Sequence, residues 1–325
     1  MNPYFGTNFI EFLRVLISRC GQILTGNFSG GALASDEIQV IVLIGVGVTA
    51  SIIGALLVVK KNTMLANALS HTVLLGIVFS YLIFFQSGLS HGLSIDIKMM
   101  LISAIFTAVI TSFLTEFFHK AFQLRQDVSV GLTFTMLFAL SIVLVTIFSR
   151  NAHIGVEMIM GNVDALHMDD IKIVYVVLGC IGVTVCLFFR EIYMTIFDSI
   201  FSSSIGISPK YFQYLLVITT SIVLMCAFRC VGFILVLALL VGPPLIAKLM
   251  AHQLSKIIAI SAALSILFAI SSVGISRHLL SVMQTPLSTS GIMVTLILFT
   301  YIIASIIHRS FYKKFKLTSR ESFLW

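Results

Sequence analysis

His71 is the residue of this chain best placed to do chemistry, because it stands inside an apolar stretch while the other histidines lie in loops or near segment ends. The stretch reads KKNTMLANALSHTVLLGI, from Lys60 to Ile77. Asn67 precedes His71 by four residues, so on a helix both side chains leave one face about one turn (~6 Å) apart, with Ser70 beside them. Ionisable groups set in membrane-type sequence usually face a cavity, a partner or a substrate path. An imidazole there suits a transition-metal ion or a proton in transit. The plainer alternative is a neutral His71 hydrogen-bonded across a helix interface, with Asn67 and Ser70 as interhelical glue.

The elements that must hold these residues are membrane helices. With 58% hydrophobic and 10% charged residues, the chain lies far from soluble composition, where roughly 25% are charged. Its apolar runs approach the ~20 residues that cross the hydrocarbon as helix and lack the alternation of barrel strands. They are Ile38 to Val59, Met64 to Phe85, Ile97 to Phe118, Val128 to Phe148, Ile171 to Phe189, Tyr211 to Phe228, Val231 to Met250, Ile257 to Ile275 and Ser290 to His308. The fold class is therefore an all-α polytopic bundle of about eight or nine transmembrane helices. Residues 1–37 read as an amphipathic segment on the membrane surface followed by a Gly/Ser-rich loop, 38–308 as the transmembrane domain, and 309–325 as a basic tail. Gly242, Pro243 and Pro244 predict a break or bend in the seventh run, a possible flexing point.

The formal charge of +7 does not point to nucleic acid, because the basic residues fall mostly in short loops and the tail. Placing Lys60 and Lys61 inside puts about 13 of the 20 lysines and arginines on the cytoplasmic side. The segment at about 191–210 then faces the cytoplasm; it is too polar to span, and its recurring apolar residues predict a short surface helix. Outside, His153, Glu157, Asp164, His167, Asp169 and Asp170 could collect a cation, although a solvated acidic loop is the simpler account. The five cysteines form no C-x-x-C pair and read as packing residues, Cys226 and Cys230 included. No G-x-x-x-x-G-K-[ST] loop, H-E-x-x-H pair or G-x-S-x-G elbow is present. Any ATP that drives transport must be hydrolysed by another chain.

Several motifs, in order, resemble the permease subunits of bacterial ABC importers for zinc, manganese and iron. Lys60, Lys61 and ANALSHTVLLGI are similar to the family's basic pair and D-A-[LI]-S-H stretch. RQDVSVGLTFTMLFAL, with Asp127 and Gly131, is similar to its cytoplasmic entry to the next span, and MGNV at Met160 to Val163 to its F-G-N loop. FDSIFSSSIGI keeps Asp198 and Gly206 of a D-x-x-x-A-x-x-x-G segment, with Ser202 in the alanine place. VGFILVLALLVGPPLIAKLM, with Gly232, Pro243 and Ala247, and TPLSTSGIMV, with Pro286 and Gly291, complete the series.

The resemblance implies a multi-pass protein of the bacterial cytoplasmic membrane that is not itself an enzyme. It implies a cytoplasmic ATPase, an extracytoplasmic metal-binding protein and a second permease subunit as partners, and a divalent ion (manganese, zinc or iron) as cargo. Asp198, Ser202 and Gly206 would belong to the helix that engages the ATPase, and His71 and Asn67, with Ser70 beside them, would line the metal path. Asn67 departs from the family's aspartate: an amide can ligate but carries no charge to offset a desolvated dication. Either a non-identical permease supplies the aspartate, which is favoured, or the metal tolerates one imidazole and one amide. The alternative is a secondary transporter driven by an ion gradient, with His71 as its proton relay; an intramembrane enzyme would need a catalytic partner for His71 that is not visible.

Overall fold

The computed structural model describes residues 4, 8–24, 34–86, 97–148, 163–282 and 284–321. Every regular element among them is helical: α1 (Phe9–Leu24), α2 (Ser35–Val59), α3 (Thr63–Gln86), α4 (Ile97–Ala121), α5 (Gln126–Phe148), α6 (Met168–Leu187), α7 (Phe189–Phe197), α8 (Ser199–Ser204), α9 (Pro209–Val231), α10 (Phe233–Met250), α11 (Leu254–Val282) and α12 (Thr289–Glu321), with one 3-10 turn at Val163–Ala165. The apolar runs map onto α2 to α6 and α9 to α12, apart from short overhangs at Phe189 and Val231. Among the described residues, seven helices are long and apolar enough to cross a membrane, and Val128–Leu144 forms a shorter apolar helical stretch.

Side-chain contacts fix the alternation of the helices. Lys248 donates to the Val58 carbonyl (3.3 Å) and Tyr214 donates to Glu116, which places the ends of α10 and α2, and of α9 and α4, together at one face of the bundle. At the other face Arg277 pairs with Asp36, Arg229 with Asp170 (3.6 Å), and Gln39 and Thr289 both donate to Asp164 (2.7 Å each). The acids at the start of α2 thus stand inside it. The helix begins at Ser35, three residues before the apolar run, because Asp36 and Glu37 are held by Arg277 and Arg19 rather than left in a loop.

α2 is the central helix, packed against α3, α6, α9, α10 and α11. In lipid, helices gain little from hydrophobicity toward one another, so close approach over small residues matters more. Gly47 meets Ser265 of α11, Gly76 of α3 meets the Ser103 backbone of α4, and Gly54 meets the Leu240 backbone of α10. At the periphery, α12 leaves Leu298, Phe299 and Ile306 more than half exposed, as a lipid-facing helix should. The amino-terminal α1 packs on α11, with Phe12 fully buried and Phe9 against Gly274, while Ile10 and Ile17 stay outside. It is therefore a docked amphipathic helix, tied by Arg19 to Glu37 and by the Tyr4 hydroxyl donating to the same carboxylate at 2.8 Å.

The expected break or bend falls in α10, which stays helical through Gly242, Pro243 and Pro244. The two prolines lack the N–H groups that would have bonded the Leu239 and Leu240 carbonyls, so the helix loses two hydrogen bonds there. Both prolines are buried and Gly242 lies against Ile297 of α12. Neighbouring helices hold the segment in place.

The α2–α3 turn closes with Lys61 N–H donating to Val58 O (3.3 Å) and Asn62 N–H to Leu57 O (2.9 Å), a Schellman arrangement with Lys61 in the left-handed region at φ 59°. Burial lowers the pKa of the neighbouring Lys60 ammonium. Because only glycine adopts the Lys61 conformation without strain, Lys61→Gly is expected to stabilise the protein by about 1 kcal/mol. Detergent-resisted unfolding of the purified variant checks this, and a loss of stability would show that the Lys61 side chain has a partner worth more than the strain.

Candidate functional site

The Asn67–His71 face of α3 turns toward α5 and α10. The His71 ring lies among three aromatic rings, with centroid separations of 4.8 Å to Phe134, 5.3 Å to Phe138 and 4.7 Å to Phe233. Phe134 and Phe138 are one turn apart on α5. Phe233 opens α10 immediately after Gly232, whose φ of 84° with ψ of 161° is a backbone conformation reserved for glycine. Gly232 lets α9 reverse into α10 across one residue and so delivers Phe233 to the imidazole.

Asn67 is exposed, His71 is half-buried, and Ser70 is buried with its hydroxyl donating to the Asn67 carbonyl at 2.6 Å. That bond stays within α3. Among the described residues, neither Asn67 nor His71 makes a side-chain hydrogen bond to another helix, so the interhelical-glue alternative finds no support. An amide open to the outside of the bundle and a ring walled by phenylalanines leave ligating nitrogen and oxygen atoms uncommitted on one face. Among the described residues, no three His, Cys, Asp or Glu side chains converge as a metal site. One imidazole and one amide are what this face offers.

The extracytoplasmic candidates are committed elsewhere where they are described. Asp164 accepts from Gln39 and Thr289, Asp170 pairs with Arg229, and Asp169 lies 3.3 Å from Lys172. The His167 backbone N–H donates to Asp170 at 3.0 Å, closing a capping box at the start of α6. His153 and Glu157 lie outside the described residues. Asp164 and Asp170 join the ends of different helices, whereas the exposed Asp169–Lys172 pair stays within α6.

The segment at 191–210 forms α7 and α8, and its motif residues have separate structural duties. Asp198 caps α8, its carboxylate accepting from Ile200 N–H (3.0 Å) and Phe201 N–H (2.9 Å). Ser202 is fully buried with its hydroxyl returned to Ser199 O at 2.9 Å, so the position demands a small side chain. Gly206, at φ 87°, ends the helix with Gly206 N–H to Ser203 O and Ile207 N–H to Ser202 O. The spacing D-x-x-x-S-x-x-x-G is thus cap, buried contact and terminator. Around it Phe197, Ile200, Phe201 and Ile205 are all more than half exposed, an apolar rim on a short polar helix.

The aromatic wall around His71 was not among the expected site residues. Phenylalanine is too common here, at 27 residues, for its placement to be a signal; only the Gly232–Phe233 pair at a helix junction hinted at it.

Comparison with known proteins agrees with this architecture. The model of the ABC 3 transport family matches residues 37–308. A "Probable metal transport system membrane protein" of Chlamydia muridarum is 38% identical over 303 residues, covering 93% of each chain. The "Manganese transport system membrane protein MntD" of Bacillus subtilis is 30% identical over 240 residues, 69% of this chain and 78% of that one. Among solved structures, PsaBC from Streptococcus pneumoniae in complex with Fab shares the fold at TM-score 0.66 and 21% identity, over 82% of this chain and 89% of that chain. The chain therefore belongs to the ABC 3 transport family, as a multi-span permease of the bacterial cytoplasmic membrane of the kind that serves metal ABC importers.

Proposed function

We propose that this permease passes a divalent transition metal, with manganese, zinc and iron as the candidates, along the face that carries His71 and Asn67, driven by a separate cytoplasmic ATPase seated on α8. The observation that carries this is the uncommitted Asn67–His71 pair, open on one side of a bundle whose other buried polar groups are largely satisfied internally. The names of several relatives favour manganese as cargo. The face that carries Lys60 and Lys61 also receives Lys120, Arg125, Lys210, Lys248 and Lys256, which favours a cytoplasmic side for it and supports the apolar rim of α8 as the place where an ATPase would dock.

One imidazole and one amide do not neutralise a dication. A second permease subunit is expected to cover the open face and complete the ligand set, and a non-identical one carrying an aspartate is favoured. An extracytoplasmic metal-binding protein would deliver the ion to the opposite face. Transport would follow alternating access, the metal's contacts differing between outward and inward states.

The test is uptake of labelled manganese, zinc and iron by cells carrying the permease, its candidate ATPase and its binding protein. Uptake that stops when the ATPase nucleotide site is disabled supports the proposal; uptake that persists without the ATPase and collapses with the proton gradient replaces it with a secondary transporter. Asn67→Asp adds a charged oxygen beside His71 and is expected to tighten metal binding by about tenfold and to slow release. A metal titration of the purified transporter that shows unchanged affinity would remove Asn67 from the path.

A further inference from the structure

Resting on the proposal that an ATPase acts through α8, we infer that Glu116 and Tyr214 form the tie that carries movement of α8 to His71. Four residues separate the end of α8 from Pro209, which opens α9 with a fixed φ, and Tyr214 stands in the second turn of α9. Its hydroxyl donates to the Glu116 carboxylate near the end of α4. Lys120, one turn further along α4, holds the same carboxylate at 2.6 Å, so the Glu116 side chain is fixed in position toward the tyrosine. A push on the start of α9 therefore meets α4 through a polar contact as well as through packing.

From Glu116 the route continues through hydroxyl groups on α4. Thr115, adjacent to Glu116, donates its hydroxyl proton to Thr111 O at 2.6 Å and lies 3.2 Å from the Thr133 hydroxyl of α5, and Thr133 adjoins Phe134 of the His71 wall. Thr111, one turn back, donates to Thr72 of α3 at 3.3 Å, and Thr72 adjoins His71 itself. Thr72, Thr111 and Thr133 are fully buried. The Gly76 contact with the Ser103 backbone brings α3 and α4 close enough to share movement. The inference requires these contacts to exchange between two discrete arrangements, so that a displacement at one end is passed on rather than absorbed. Glu116 and Tyr214 touch no metal; they are positioning residues.

The experiment uses the full transporter, with its ATPase and partner permease, in proteoliposomes, with ATP hydrolysis and uptake of labelled manganese measured in the same vesicles. Tyr214→Phe keeps the ring and removes only the hydroxyl. It is expected to lower manganese transported per ATP hydrolysed by about tenfold while hydrolysis stays within about twofold. Glu116→Gln keeps an acceptor and is expected to lose about threefold, and adding Glu116→Ala to Tyr214→Phe is expected to cost nothing more, since the bond is already gone. An unchanged ratio in Tyr214→Phe, or uptake and hydrolysis falling together, overturns the inference. Asp198→Ala in parallel separates the two levels: impaired uptake there with a neutral Tyr214→Phe sinks the tie alone, whereas wild-type behaviour of Asp198→Ala sinks the ATPase reading of α8.

Discussion

Gly54→Ala is expected to destabilise the folded protein by about 3 kcal/mol, at the upper end of what one added methyl group does in a packed interior. The methyl would stand 1.8 Å from the Leu240 carbonyl oxygen and 2.8 Å from its carbon. Those are backbone atoms, so no side chain can rotate away; α2 and α10 must separate. Separation loosens the central helix against α10. It also uncovers a carbonyl with a special need, because Pro244 supplies no N–H for Leu240 O within α10. In its present place that oxygen lies against the Gly54 α-carbon, where a weak C–H donor is available. Unfolding of the purified variant by titrated denaturing detergent measures the loss. Gly179→Ala on α6, where nothing lies within 4 Å of the new methyl, is the control and is expected to gain about 0.5 kcal/mol from helix propensity. Equal stabilities for the two variants would mean that α2 and α10 are not closely packed at Gly54.

This same contact explains why the double proline does not break α10. The sequence signal for a break is sound in an isolated helix, and what defeats it is a glycine nearly 190 residues earlier in the chain, together with Ile297 of α12 against Gly242. The start of α2 has a similar history. Asp36 and Glu37 look like loop residues until Arg277, which lies 241 positions away, and Arg19 are brought to them. By contrast, the Asp198–Gly206 segment is legible as a helix with both ends marked, because its cap and terminator act over two to five residues. The apolar spans are legible for another reason: lipid demands an apolar run of fixed length wherever a helix crosses. His71 could be found as an anomaly in such a run, but its three phenylalanines come from two other helices and are hidden among many like them.

His71→Ala is expected to reduce ATPase-dependent metal uptake by about 100-fold at matched membrane levels, since even residues that only support a metal ligand are typically worth 10–100-fold. The magnitude follows from what else the face offers. Phe134, Phe138 and Phe233 supply no ligand atoms, and Ser70 turns its hydroxyl back to Asn67 O, so on the proposed metal path removing the imidazole would leave one amide as ligand. The rings are expected to serve the imidazole by excluding water, which strengthens the contact of a nitrogen with a dication in a low-dielectric setting. A purely structural His71 predicts the reverse ordering of variants. It would fill the space between α3, α5 and α10, so His71→Phe would restore packing and uptake while His71→Ala would lower the yield of folded protein. If His71 meets the metal, His71→Phe folds like the wild type and transports no better than His71→Ala. Uptake by His71→Phe at wild-type level would therefore move the metal path off this face, even though α8 and its rim would remain as they are.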